Sequence, residues 1–495
     1  MTQFKVHVGA ASLFALLVGT PALADVTADQ VWQAWIDYYS DMGQQVETGG
    51  QTRSGDTLVI TDAVFSGTEP DMSFSLTIPE IRLREAGGTV EITTSEEMPI
   101  RVSGTGEEGE EIDMSMLLRQ SGMVTVASGT PEDMTYEMTA PELAFTMGDM
   151  AVDDTTMEMA VEAMLTGTAA TYRVTQGAVQ RITSDFGSES LTYAISAADP
   201  EGSGRFEMTG VARDLSGTSE ASLPEAMDPE DMPAALAAGL DVTGGLTSGS
   251  GSYRFDFADE GEAVQVEGTG QGGSVDFSMS QDGLRLSSLG RSTEFAMTSA
   301  SLPFPVNLSL AESGYSFVMP LASGPDAPFG LGLRLVDLVV SDEIWAMIDP
   351  TAQLPRDPAT VIVELAGRAN MLVDITDPAT AEMETPPGEL EALDLTALEV
   401  RLAGAELTGQ GGLTFDNSDM SMGFPKPLGA LDFALTGGNA LLDKLVAMGL
   451  LPEDQAMGAR MMMGLFAVPT GPDALSSKIE FREDGGIYAN GQRLQ

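Results

Sequence analysis

Apolar and polar residues alternate by twos over much of this chain. In DMSFSLTIPEI (Asp71 to Ile81), Met72, Phe74, Leu76 and Ile78 fall on one side and Ser73, Ser75 and Thr77 on the other. DMTYEMTAPEL (Asp133 to Leu143) spells the same phrase 62 residues later, with Met134, Tyr136, Met138 and Ala140 opposite Thr135, Glu137 and Thr139. Period two is the signature of a half-buried strand, whereas a helix would scatter these residues around its circumference. Shorter echoes follow the same rule. Phe206 and Met208 share a side in FEMT, Val275, Phe277 and Met279 in VDFSMS, and Phe295 and Met297 in FAMT. Turn residues at Glu85–Gly88, Ala258–Gly261 and Asp282-Gly283 join such runs into hairpins. The predicted fold class is therefore mainly β, with large, curved antiparallel sheets built of meanders and hairpins. Pro79 and Pro141 lack an N–H and are expected to mark a strand's end or a sheet edge.

Helical periodicity appears as punctuation. TADQVWQAWIDYYSDMG opens with a Thr27/Gln30 capping box and stops at Gly43. Its apolar stripe, which includes Trp32, Trp35 and Tyr39, is expected to cover the open face of a sheet or to dock a partner. Residues 222–252 combine prolines, a short helical piece and a Gly/Ser tail, and predict a linker between β-rich halves at 25–221 and 253–495. DEIWAMI (Asp342 to Ile348) reads as another short helix. Near the C-terminus, Asn439 is expected to cap a helix that stops at Gly449. Pro452 then opens a second helix, and a closing hairpin turns at Asp484-Gly485-Gly486.

The first residues, MTQFKVHVGAASLFALLVGTPALADV, have a basic start, an apolar stretch and the Ala22-Leu23-Ala24 signature. They read as a secretory leader over residues 1–24, cleaved between Ala24 and Asp25. The expected location is the periplasm, or the exterior, with no stable transmembrane anchor after cleavage. Cleavage removes Lys5 and His7, the only histidine of the 495 residues, and the sequence has no cysteine. The mature chain thus has no group for Ser-His-Asp or Cys-His catalysis, and none for histidine- or thiolate-ligated metals. It keeps 22 of the 23 basic residues against all 75 acidic ones, a net charge of −53. That field repels nucleic acid phosphates and anionic lipid head groups alike, screened over about 8 Å at physiological salt, and its plain meaning is solubility.

Other candidate chemistry fares poorly. Thirty methionines invite a copper(I) reading. Yet Met461, Met462 and Met463 step about 100° apart on a helix, and elsewhere Met stands where Leu or Val would. EEGEE at Glu107 to Glu111 lacks the ligand spacing of a calcium loop, and so does the Asp149, Asp153 and Asp154 group. The Gly-rich run at Gly268 to Ser274 precedes no helix and cannot cradle a phosphate. No carboxylate pair stands out by spacing. No cofactor, metal or catalytic residue is predicted.

The helix-pair segment at Gly411 to Gln495, with WQAWIDYYSDMG and RSGDTLVITD at Trp32 to Asp62, resembles an uncharacterised family of exported Gram-negative proteins, domain of unknown function 2125. That resemblance implies no activity, ligand or site residue. The closing strand, helix pair and strand are also similar to the C-terminal portion of AsmA-like envelope proteins. Those are long curved sheets linked to lipid handling and outer-membrane assembly, although here no anchor survives cleavage. Two readings follow. Phe74, Tyr136, Met138, Phe206, Met208, Phe277, Met279, Phe295 and Met297 line either a face that holds a lipid or other apolar ligand, or the packed core of a structural, partner-binding envelope protein.

Overall fold

The computed structural model describes residues 26–495, apart from 42, 70, 71, 107–109, 154, 201, 225–230, 378, 381, 382, 384 and 421–423. The leader and its expected cleavage at Ala24-Asp25 lie outside the described residues.

The first helix, α1 (Ala28–Asp41), begins with the expected capping box. Thr27 N–H donates to Gln30 Oε1 at 2.9 Å, and Gln30 N–H donates to Thr27 Oγ1 at 3.3 Å. Glu85 Oε1, from the sheet, accepts from Ala28 N–H at 2.9 Å and ties the helix start to the strands.

Among the described residues, twenty-seven strands then join in one antiparallel sheet. β1 (Gln45–Glu47) and β2 (Gly50–Ser54) lie end to end along β3 (Thr57–Glu69), which pairs with the long β4 (Met72–Ala86). β5 (Thr89–Thr94) and β6 (Glu97–Thr105) share one strand position beside β4, each taking half its length. β7 (Glu111–Ser121) and β8 (Val124–Thr130) share the next position, and the long β9 (Asp133–Val152) runs beside both. After β10 (Thr155–Thr175) and β11 (Val179–Ala198), the long β12 (Arg205–Pro224) opens a second copy of this arrangement. Here β13 (Asp241–Ser248) and β14 (Gly251–Asp259) share a position, β15 (Glu262–Gly270) and β16 (Gly273–Ser280) share the next, and β17 (Gly283–Ser299) spans both. The two long copies of the repeated phrase are β4 and β9, and its echoes fall in β12, β16 and β17. One strand grammar recurs because one six-strand module recurs.

β18 (Val306–Met319), β19 (Gly324–Val340), β20 (Ala359–Met371), β21 (Gly388–Leu402), β22 (Ala405–Asp416) and β23 (Lys426–Thr436) continue as a plain meander. β24 (Val468–Gly471), β25 (Ala474–Phe481), β26 (Ile487–Ala489) and β27 (Gln492–Arg493) close the sheet. Residues 222–252, expected to link two halves, do carry a short helix, α2 (Met232–Ala237). The strands flanking it belong to the sheet, because β12 pairs with both β13 and β14. α3 (Asp342–Ile348) follows β19, and the helix pair α4 (Gly438–Ala447) and α5 (Glu453–Phe466) follows β23. Asn439 does not cap α4. The Asp473 carboxylate does, accepting from the Asn439 and Ala440 N–H groups at 2.9 Å each.

The apolar alternation changes phase once along each long strand. The inward residues Ile60 and Ala63 flank Thr61-Asp62 in β3, Ile78 and Ile81 flank Pro79-Glu80 in β4, and Ala140 and Leu143 flank Pro141-Glu142 in β9. Ala212 and Leu215 do the same around Arg213-Asp214 in β12, and Leu335 and Leu338 around Val336-Asp337 in β19. Asp62, Gly167, Asp214, Ser292 and Asp337 sit at these places with positive φ, between 46° and 58°. Asp62 stands opposite Pro79, and Gly167 opposite Pro141, so the phase changes align as one crease across the strands. Pro79 and Pro141 therefore lie mid-strand and not at strand ends. Each faces the gap between two collinear short strands, where no residue is registered against it and a missing N–H costs no ladder bond.

Two clusters of buried apolar side chains lie on one face. Under α1, Val31 and Trp32 pack on Ile60, Phe65, Ile81, Leu83 and Val90. Under α2, Ala235, Leu236 and Leu240 pack with Leu321 against Val242, Met279, Leu284 and Met319. The chain exposes 28856 Å², where a compact protein of 51.9 kDa would expose roughly 17,000 Å². The sheet is long and its face largely uncovered.

An uncovered apolar face as the candidate functional site

Residues directly opposite in adjacent antiparallel strands share a face, so the register traces rows across the sheet. One row begins Val46, Phe65, Leu76, Ile100, Met116, Met147 and continues through Val161, Ile195, Met208, Phe255, Val266 and Met297. Another runs Phe277, Leu286, Phe317, Leu331, Leu365, Leu395, and through Gly411 to Leu431 and Ile479. This second row lies on the face that α2 covers, one rung above the helix. There Phe277 is 37% exposed, Phe317 38% and Leu331 54%, and the next rung adds Val275, Tyr315 and Leu333. Together these open several hundred square ångströms of contiguous apolar surface, the size that marks an interaction site on a soluble protein.

All nine residues predicted as an apolar face point to this side, in different surroundings. Phe74 lies across Gly67, and Tyr136 is covered by Trp35 of α1 with ring centroids 6.5 Å apart. Met138 pairs with Ala170, and Met279 lies under α2. Phe206 stacks edge-on to Phe255 at 5.3 Å, and Met208 pairs with Ile195 and Phe255. Phe295 pairs with Gly268 and Leu308, Met297 with Val266 and Val306, and Phe277 stands in the open stretch. On α1, Trp32 meets Trp35 and Phe65 at 6.3 Å each, and Tyr39 meets Phe65 at 4.8 Å. These three residues serve as a cover for β3 to β9. Tyr315, Phe317, Leu331 and Leu333 join this face in addition to the nine predicted residues. Their signal was the same alternation, in GYSFVM and GLGLRL, outside the repeated phrase.

The floor is smooth. Five inward aromatic rings lie over a glycine on the neighbouring strand: Phe74 on Gly67, Tyr193 on Gly210, Tyr253 on Gly268, Phe329 on Gly367 and Phe433 on Gly409. A Cβ at any of these glycines would enter the ring, so the ring lies flat only because the side chain opposite is absent.

Charge is sorted by face. Between the hairpin ends of β9 to β23 and of β25, the inward positions carry Leu, Val, Ile, Met, Phe, Tyr, Ala, Gly, Ser or Thr, and no acid or base. The ion pairs lie outside, as in Arg254 with Glu267 and Arg334 with Glu364, each at 2.7 Å. At the covered end, burial pushes the Tyr136 phenol up to about 12 and raises that of Tyr172, which also feels Tyr38. Among the described residues no cluster of His, Cys, Asp or Glu could hold a metal ion, and no helix is long and apolar enough to cross a membrane. Met461 and Met462 project from α5 into solvent. Hollows of about 750 and 690 Å³ cross several strands as open troughs, and not as enclosed cavities.

These features define a class: an extended single-sheet β protein whose one face is charge-free from β9 to β23 between the hairpin ends and is covered, among the described residues, by helices at only a few places. Residues 250–494 match a family described as an uncharacterized protein conserved in bacteria, DUF2125. The match starts at β14 and runs to the last strand, so the likeness expected at Trp32 to Asp62 lies outside it. No curated protein and no solved structure matches the chain. The AsmA-like resemblance therefore rests on the C-terminal sequence alone.

Proposed function

We propose that this protein is a non-enzymatic envelope component that binds or carries an apolar ligand, such as a lipid, on its uncovered sheet face. The leader supports a periplasmic setting. The observation that carries the reading is the run Phe277, Leu286, Phe317 and Leu331, four directly paired apolar residues of which Phe277, Phe317 and Leu331 are exposed. Such a run is costly to leave in water, at about 25 cal/mol per Å², and an apolar ligand would remove that cost. Native mass spectrometry of protein taken gently from the periplasm should show a co-purifying lipid, and the protein should take up a fluorescent fatty acid. Phe317→Asp with Leu331→Asp should abolish uptake while the circular dichroism stays that of a sheet. Consistently bare wild-type protein with no uptake would sink the reading. A partner-binding role is the second reading, favoured by the exposed Met457, Met461 and Leu465 stripe on α5.

A further inference from the structure

Resting on the reading above, we infer that the face takes hydrocarbon chains of amphipathic lipids, at least two at once, laid across the strands, with head groups left in water and not discriminated. Three observations carry this.

The first is length. From Phe277 on β16 to Ile479 on β25 the row crosses eight adjacent strand pairs without a charged residue. At about 4.8 Å per step that is ~38 Å, whereas a bilayer core of about 30 Å already holds two tails end to end. One tail would leave more than half of the row wet.

The second is relief. Within this stretch Phe329 lies flat on Gly367 and Phe433 on Gly409, and Gly411 adds no side chain at all. A flat floor has no pocket that fixes where one chain must stop. It suits flexible chains that can lie anywhere along it.

The third is the missing head-group site. Recognition of a polar head needs a few fixed donors or charges beside an apolar wall. Inward charges are absent here, and the inward polar groups are scattered neutral hydroxyls such as Ser288, Ser313 and Tyr315, some of them engaged within the sheet. Ser184 and Ser219 bond each other at 2.8 Å, and Ser477 donates to the Phe466 carbonyl at 2.6 Å. The same lack argues against a protein occupant, whose interface would carry about one hydrogen bond per 100–200 Å². What fits is hydrocarbon.

The test uses the full mature chain with three lipids of identical tails: phosphatidylethanolamine, phosphatidylglycerol and diacylglycerol. Native mass spectrometry should count two or more lipids per protein. The three apparent affinities should agree within about threefold, well inside the tenfold that 1.4 kcal/mol represents. Leu331→Glu, which puts a charge at an exposed point of the row, should lower the count by at least one, and Leu331→Met should restore it. A maximum of one lipid would overturn the inference, and so would a head-group preference of tenfold or more. Either result leaves apolar binding standing. Failure of all three lipids to bind would instead remove the carrier reading itself.

Discussion

Leu83 and Leu331 occupy equivalent inward positions in alternating strands, yet Leu83 is fully buried and Leu331 is among the most exposed leucines described. The strands under α1 and those of the β16–β19 stretch are written in one grammar, and they differ in what lies opposite. Over β3 to β9 a 14-residue helix places Trp32 and Trp35 on the sheet and makes a conventional core. Over β13 and β16 to β18 the 6-residue α2 reaches only the lowest rung. A strand pattern therefore declares which face is apolar, and the covering element decides whether that face becomes a core or a surface.

The comparison can be broken most directly at Trp32. Trp32→Ala should cost about 3–5 kcal/mol, the range for truncating a buried aromatic. Phe317→Ala, removing a ring of similar kind from the open stretch, should cost under about 1 kcal/mol, as surface changes do. Urea denaturation of the two variants measures the contrast. Equal losses would mean that the open stretch is packed in solution.

Alkali should find the same boundary. The Tyr136 phenol is raised from 10.0 to about 12, chiefly by burial, so folding favours its neutral form. Its contribution is intact below pH 10.0 and is lost as pH rises through 12, by about 3 kcal/mol at most. Tyrosine absorbance followed against pH should show Tyr136→Phe abolishing a late-titrating component and flattening the alkaline loss of stability.

A smaller effect is expected at the far end. Asp473 caps α4 from another turn, and the Ala440 and Asn439 N–H groups hold its carboxyl below the ordinary 3.8. Asp473→Ala should cost about 1 kcal/mol. The stability that Asp473 supplies is present above pH 3.8 and fades as pH falls through its lowered value in the folded state. Melting curves of wild type and variant should converge in acid.

Local signals carried a good part of this structure. Alternation located the strands, the Thr27/Gln30 pair located the start of α1, and hairpin residues located the turns at Gly87-Gly88 and Asp282-Gly283. The same rules misread Pro79 and Pro141, because a proline mid-strand looks like an end until the gap in the neighbouring strand position is seen. They also assigned the α4 cap to Asn439, since Asp473 lies 34 residues away in sequence and adjacent in space. The nine predicted face residues were legible as a face, whereas the exposed rung at Tyr315 to Leu333 was passed over because it lies outside the repeated phrase.

By itself the sequence determined that oily side chains lie on one side of many strands, that acids lie on the other, and that no histidine follows His7 and no cysteine occurs. Those are properties of neighbours along the chain, and alternation records them. Only the tertiary structure decided that the strands join in one sheet, that β13 pairs beside β12 within it, and that the described residues leave its apolar face uncovered between helices. Covering depends on which distant segment comes to lie opposite, and no local pattern of residues encodes that distance.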